Sequence, residues 1–177
     1  MKLLGVIVQS DLRWGQNTEY VCQKSYSRLW MHRRLKGLRA SNSELMDLYK
    51  KQMLCVMEMA VAAWTARLTL NEKRQIERVQ KCAFSIILGL DYGDYKTALY
   101  KLQMKKLEDR RVDISRKFAH KASKHEKHKK WFSLSEEPVQ RATTRYQKPV
   151  TKYIEPVART DRFRDSPIPY LTRLLNE

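Results

Sequence analysis

Apolar residues open the chain as a run, Leu3-Leu4-Gly5-Val6-Ile7-Val8, and afterwards recur at helical spacing. The run predicts a strand, and no second comparable run follows. Its backbone donors and acceptors therefore lack an evident partner, as if a sheet were missing. Gln9-Ser10-Asp11 supplies turn chemistry, after which Leu12-Arg13-Trp14 is placed to return as a brief strand or to pack over the first. A first helix is predicted from Asn17 to about Arg39, ending near Gly37 or Ala40-Ser41. Cys22, Ser25, Tyr26, Leu29 and Arg33 fall on one side of it, and Lys24, Arg28 and Arg34 mainly on the other.

Ser41-Asn42-Ser43-Glu44 has the form of a capping box, opening a second helix through Leu45, Leu48, Tyr49, Met53, Val56, Met59, Ala60 and Ala63. Because Met53 to Trp64 is apolar nearly all round, its second half is expected to be the central buried helix. Thr69-Leu70-Asn71-Glu72 is another capping box, starting a helix through Ile76, Val79, Ala83, Ile86 and Ile87 that stops at Gly89. A short helix from Asp94 to about Leu102 buries Tyr95, Ala98, Leu99 and Leu102. A fifth, from about Lys106 to Lys124, buries Leu107, Ile114 and Phe118.

All five prolines lie after residue 130 and all five glycines before residue 94, which marks a boundary near Trp131-Phe132. Beyond it the chain is expected to be extended, with only Pro167 to Leu175 able to dock as a short apolar anchor. The fold class is mainly α. Residues 1–16 form a β-hairpin remnant, 17–130 a five-helix bundle and 131–177 an irregular basic tail containing the prolines. No internal repeat is present.

Length and composition suit a folded domain: 177 residues, 42% hydrophobic and 31% charged. The formal charge of +17 raises the local concentration of polyanions and points to nucleic acid, with acidic lipid and acidic protein as rivals. Cys22, Cys55 and Cys82 sit singly in apolar helical patterns, as reduced thiols in an intracellular protein of nucleus or cytoplasm do. The start is too short for a secretory signal. The apolar stretch Met53 to Trp64, interrupted by Glu58, falls short of the about 20 residues needed to span a bilayer, so no membrane partner is expected.

Tyr92-Gly93-Asp94-Tyr95 is close to the Tyr-x-Asp-Asp turn of polymerases that copy RNA. Tyr95 replaces the second acid, and two-metal chemistry needs converging carboxylates, so Asp94 reads as a helix start. Asp109 and Asp113, one turn apart among arginines, read as solvated ion pairs. Glu58, the single charge in an apolar helix, calls for a structural partner, most simply an arginine from another helix. His120, His125 and His128 lie among lysines, which oppose a metal ion. No Gly-rich phosphate loop, Gly-x-Ser-x-Gly elbow or Cys-x-x-Cys pair occurs, and no chemistry or metal is assigned. What remains is binding. Basic stretches run from Lys24 to Arg39 and from Lys101 to Lys130, and Trp14, Tyr26 and Trp30 near the first are able to stack on sugar or base.

The order of these pieces resembles the C-terminal part of non-LTR (LINE-type, jockey-like) retrotransposon reverse transcriptases, from the palm edge through the thumb. The matching words begin with Leu4-Gly5-Val6, then Asp11-Leu12-Arg13-Trp14, then Ser27-Arg28-Leu29 with Arg33-Arg34-Leu35, Glu58 and Trp64. They continue through Glu77-Arg78-Val79-Gln80-Lys81, Ile86-Ile87-Leu88-Gly89, Tyr95, Ala98-Leu99, Leu102 and Leu107 with Arg110-Arg111, and close at Ser166-Pro167-Ile168-Pro169-Tyr170-Leu171. Leu3 stands where the family usually has Tyr, and Met59 follows Glu58 where Tyr is common.

The resemblance implies that Leu4, Gly5 and Val6 are a primer-grip-like hairpin and that the helices are a thumb closing on a template-primer duplex. The family's catalytic aspartates and Mg²⁺ belong to a palm N-terminal to this point, so the chain alone is expected to be non-catalytic and to have the missing palm as a possible partner. Sequence-independent phosphate contacts to an RNA-DNA or DNA duplex are then expected from Lys24, Arg28, Arg33, Arg34, Lys36, Arg110, Arg111 and Lys117. The rival is a helical protein-interaction or structural module whose basic surface serves solubility.

Overall fold

The structure, a computed structural model, describes residues 1–134 and 153–177 and is mainly helical, with a two-stranded antiparallel sheet at its N-terminus. It divides into two compact units, Met1–Arg111 and Val112–Glu177.

The opening run is folded on itself. Strands β1 (Lys2–Leu3) and β2 (Val6–Ile7) pair in the register Lys2↔Ile7, Leu3↔Val6, and Leu4-Gly5 forms the two-residue turn. Both turn residues have positive φ, 46° and 86°, the requirement of the tight turn whose twist matches paired strands. The strand expected to lack a partner therefore pairs within its own run, and no missing sheet is needed to account for it. A Cβ on Gly5 would lie 2.8 Å from the Met59 Cε, so the turn is pressed against the later chain. Leu12 to Trp14 do not return as a strand, and Trp14 is buried at the entrance to the first helix.

Helix α1 (Gly15–Gly37) begins earlier than expected. Asn17 is inside its first turn, and its Oδ1 accepts the Ile7 N–H at 3.0 Å, fastening the hairpin to the helix. Its buried seam runs Thr18, Cys22, Ser25, Leu29, His32, alternating three- and four-residue steps. Tyr26 and Arg33, expected on this side, lie outside the seam, Arg33 exposed and Tyr26 partly so at its edge.

That neighbour is α5 (Leu70–Leu88), whose buried residues include Ile76, Val79, Ala83 and Ile87. The two helices run parallel. Gly15 lies at the start of α5, its added Cβ 3.4 Å from Glu72 Oε1, and Lys36 lies at the other end, where its Nζ donates to the Ile87 carbonyl at 2.6 Å. The intervening chain must cross back along the bundle.

The crossing segment opens at the expected capping box, with Ser41 and Glu44 satisfying each other's end donors. It is not one continuous helix. α2 (Asn42–Leu48) widens into a π-helical stretch, Tyr49–Leu54, and then tightens as α3 (Cys55–Met57). Ala60 then adopts φ +52°, breaking the rod before α4 (Val61–Trp64) and a 3₁₀ turn, Thr65–Arg67. No Gly or Pro stands in this segment to mark the break. Of the residues expected along it, Leu45, Tyr49, Met53 and Val56 are buried, Leu48 is half-buried and Met59, Ala60 and Ala63 are exposed. Met57, Val61 and Trp64 also turn inward, and Tyr49 meets Phe84 edge-on at 5.4 Å.

The Thr69–Glu72 box opens α5, and Asp94 caps α6 (Tyr95–Lys101) by accepting the Thr97 N–H at 3.0 Å. Helix α7 (Leu107–Lys124) buries Leu107, Arg111, Ser115, Ala119 and Ala122. Of the residues expected inside, Leu107 is buried, Ile114 is half-buried and Phe118 is exposed.

In the second unit, α8 (Glu126–Lys129) is followed by Phe132, which meets Tyr153 edge-on at 6.2 Å. The tail expected to be extended contains α9 (Asp161–Arg164) and α10 (Pro167–Asn176). Prolines are tolerated in a helix's first turn, where their missing N–H would have no partner anyway, so Pro167 and Pro169 start α10 instead of preventing it. The anchor does bury Leu171 and Leu174, and Asn176 Nδ2 and Oδ1 bond both backbone groups of Tyr153 at 2.9 Å. Pro138 and Pro149 lie outside the described residues.

Candidate nucleic-acid interface

The eight cations expected to contact phosphate do not form one surface. Arg33 and Arg34 are exposed on the outer face of α1, with no ion pair among the described residues. Lys24 is half-buried, its ammonium 5.7 Å from the Tyr20 ring centroid. Arg28 donates from Nη1 to the Gln52 carbonyl, inside the π-helical stretch. Lys36 bonds the Ile87 carbonyl and also Asn42 Oδ1 at 2.9 Å, completing the end of α5. These last two tie elements together and hold their charge inward.

Arg110 and Arg111 depart furthest from the expectation. Arg110 forms a two-point ion pair with Glu58, Nε to Oε1 at 2.5 Å and Nη2 to Oε2 at 3.1 Å. The partner expected for Glu58 is thus one of the residues assigned to phosphate. Arg111 is only 2% exposed and lies near Cys22, whose thiol burial pushes up to about 11 while the Arg111 charge pulls the other way. A guanidinium in that position cannot reach a ligand outside the fold. Lys117 is exposed on the part of α7 belonging to the second unit.

Among the aromatics, Trp14 is buried and unavailable, whereas Tyr26 is partly exposed and Trp30 is 67% exposed. Tyr26, Trp30, Arg33 and Arg34 are spaced i, i+4, i+7 and i+8, one stripe on the solvent face of α1. Beside it runs a groove of about 620 Å³ between α1 and α5, lined by Glu19, Cys22, Tyr26, Glu72, Gln75 and Arg78 among others. Its charge is graded: Glu19 and Glu72 lie near Gly15 and the helix starts, and Arg78 lies near Tyr26. An anion is repelled from the first half of α1 and attracted to the second. Nothing in the sequence marks Arg78 as a candidate, because only the parallel packing of α1 on α5 brings it beside Tyr26.

Among the described residues the acids show no converging set. Asp94 caps α6, and the Thr97 contact holds its carboxyl below the usual range. Glu77 accepts from the Tyr95 hydroxyl and from the Leu107 N–H at 3.3 Å, a structural junction of α5, α6 and α7. Residues placed this way do not fit a Mg²⁺ pair. Among the described residues no group of three or more His, Cys, Asp or Glu is positioned to hold a metal ion, and no helix is long and apolar enough to cross a membrane. Compared with protein-family models, curated proteins and solved structures, the chain has no match.

Proposed function

We propose that the chain is a non-catalytic, thumb-like part of a non-LTR retrotransposon reverse transcriptase that binds the backbone of a template-primer duplex without reading its sequence. The observation that carries this reading is the outer stripe of α1, where Arg33 and Arg34 stand exposed with no ion pair among the described residues on a chain of charge +17. Arginine forks suit phosphate oxygens, and such contacts position a protein on nucleic acid without specifying bases. The ordered words of the family resemblance add the polymerase context. A tight Leu4-Gly5 turn is compatible with a grip, and the family's catalysis, with its Mg²⁺, belongs to the palm.

Of the eight expected cations, Arg33 and Arg34, with Arg78 alongside, and separately Lys117 on the second unit are exposed and suit this role. Filter binding with an RNA-DNA hybrid at low and physiological salt tests it. Affinity should fall steeply as salt rises, through release of counterions from neutralised phosphates. Absence of binding at low salt, or binding indifferent to salt, overturns it.

A second reading, a protein-docking module, draws on the hairpin, where Met1, Leu3 and Leu4 are all exposed. It predicts self-association or a bound protein in size-exclusion chromatography with light scattering, and little affinity for the hybrid.

A further inference from the structure

We propose that the outer stripe of α1 takes single-stranded nucleic acid, with Trp30 stacking on an unpaired base while Arg33 and Arg34 hold the flanking phosphates. This deepens the reading above and rests on it, since the same two arginines serve both.

Duplex binding leaves Trp30 without a task. A duplex presents phosphates and sugars outward and keeps its bases stacked inside, so arginines suffice along its flank and an indole finds no open π-face there. An unpaired strand offers those faces, and indole stacking is tolerant of sequence because every base has one. A single exposed apolar side chain is ordinary on a protein surface. Trp30 is not single. Tyr26 lies one turn before it and Arg33 and Arg34 one turn after, all exposed on one stripe. Trp14 and Trp64, by contrast, are buried in the same unit.

The electrostatics bound the site. Glu19 and Glu72 at the start of the groove repel phosphate, confining a strand to the stretch from Tyr26 onward. The rise from Tyr26 to Arg34 is about 12 Å at helical pitch. That length accommodates about three phosphates of a stacked strand. One or two bases on the aromatics with the adjoining phosphates on the arginines match that span, and a strand extended toward Gly15 would meet the acids.

The test is fluorescence anisotropy of the full chain with labelled oligothymidylate and with a blunt duplex, each at low and physiological salt. Trp30→Ala should weaken oligothymidylate binding about tenfold with an unchanged salt slope, and leave the blunt duplex within about twofold. Trp30→Phe, which keeps a stacking ring, should recover most of the loss. Arg33→Gln with Arg34→Gln should weaken both ligands and flatten both salt slopes. Equal loss on both ligands with Trp30→Ala, or no loss on either, overturns single-strand stacking while duplex binding stands. Failure of the unaltered chain to bind either ligand at low salt overturns the parent reading as well. Circular dichroism of each variant confirms that α1 remains folded.

Discussion

Arg33-Arg34 on α1 and Arg110-Arg111 on α7 are the same pair of residues, each followed by a branched apolar residue and each embedded in a basic stretch. Their fates differ. The α1 seam runs through Thr18, Cys22, Ser25, Leu29 and His32, so the two following residues turn out to solvent. The α7 seam runs through Leu107, Arg111, Ser115 and Ala119, and one arginine falls within it. Its neighbour, rotated by about 100°, meets Glu58 at the rim. Positive charge in a sequence thus identifies a polyanion surface only after the helix's inward face is known. A polar residue at a seam position, serine or arginine alike, hides that face.

The sharpest way to break this comparison is to remove the charges of each pair separately. Arg111→Ala should cost about 3 kcal/mol of stability, because it empties a buried position in the seam of α7. Glu58→Ala should cost about 2 kcal/mol, the carboxylate and guanidinium being only partly shielded from water. Urea denaturation measures both, and either variant, below its transition, should keep its affinity for polyanions. If Arg111→Ala left stability unchanged and abolished binding, the two arginine pairs would be equivalent after all.

The converse substitution is expected to spare stability. Arg33→Gln with Arg34→Gln should change the urea midpoint little, exposed positions being worth within about 0.5 kcal/mol. It should weaken binding about tenfold and reduce the log-affinity against log-salt slope by about two, one for each phosphate no longer neutralised. A slope unchanged by the double substitution would place the phosphate contacts elsewhere on the chain.

How much of this is legible in the sequence follows from how local each signal is. The caps at Ser41, Thr69 and Asp94 are readable because a side chain and the backbone amide it satisfies lie within one turn. The seam of α1 is half legible: Cys22, Ser25 and Leu29 show at helical spacing, but Thr18 and His32 look like surface residues until the rest of the bundle is laid against them. The break at Ala60 has no sequence mark, since alanine favours helix and adopts positive φ only under tertiary constraint. A hairpin is expected within residues 1–16, but its turn at Leu4-Gly5 is hidden in the apolar pattern, because a Leu-Gly turn between apolar residues looks like the middle of a strand. In the tail, Ser166 before Pro167 has the form of a helix start, and the weight of proline as a breaker conceals it.

His32 offers a test of the two faces of α1 against each other, since it is fully buried two residues from exposed Trp30. Burial holds its imidazole below the ordinary value of 6.5, opposed by its contact with the Arg28 carbonyl, to which Nδ1 lies at 3.2 Å. As pH falls through the unfolded value, the unfolded chain takes up the proton first, so stability declines until the folded-state value is also passed. Urea midpoints measured from neutral to mildly acidic pH should fall in that window, and His32→Gln should remove most of the dependence. Loss of polyanion binding in acid would then reflect failure of the inner face. A loss that persisted in His32→Gln would implicate the outer one.

The smallest effect concerns the break that sets Glu58 opposite Arg110. Ala60 holds a left-handed conformation two residues after Glu58, and keeping a residue with a Cβ there costs roughly 1 kcal/mol. Ala60→Gly removes that strain and adds freedom to the unfolded chain, two terms of similar size and opposite sign. The net change should lie between zero and about 0.5 kcal/mol of stabilisation. The Glu58–Arg110 pair should survive it, so Glu58→Ala should cost as much in the Ala60→Gly background as alone. Non-additivity of the two substitutions would mean that the left-handed turn itself presents the carboxylate to Arg110. The arginine pair of α7 would then be captured by backbone geometry in the crossing segment, whereas that of α1 has no ion pair among the described residues.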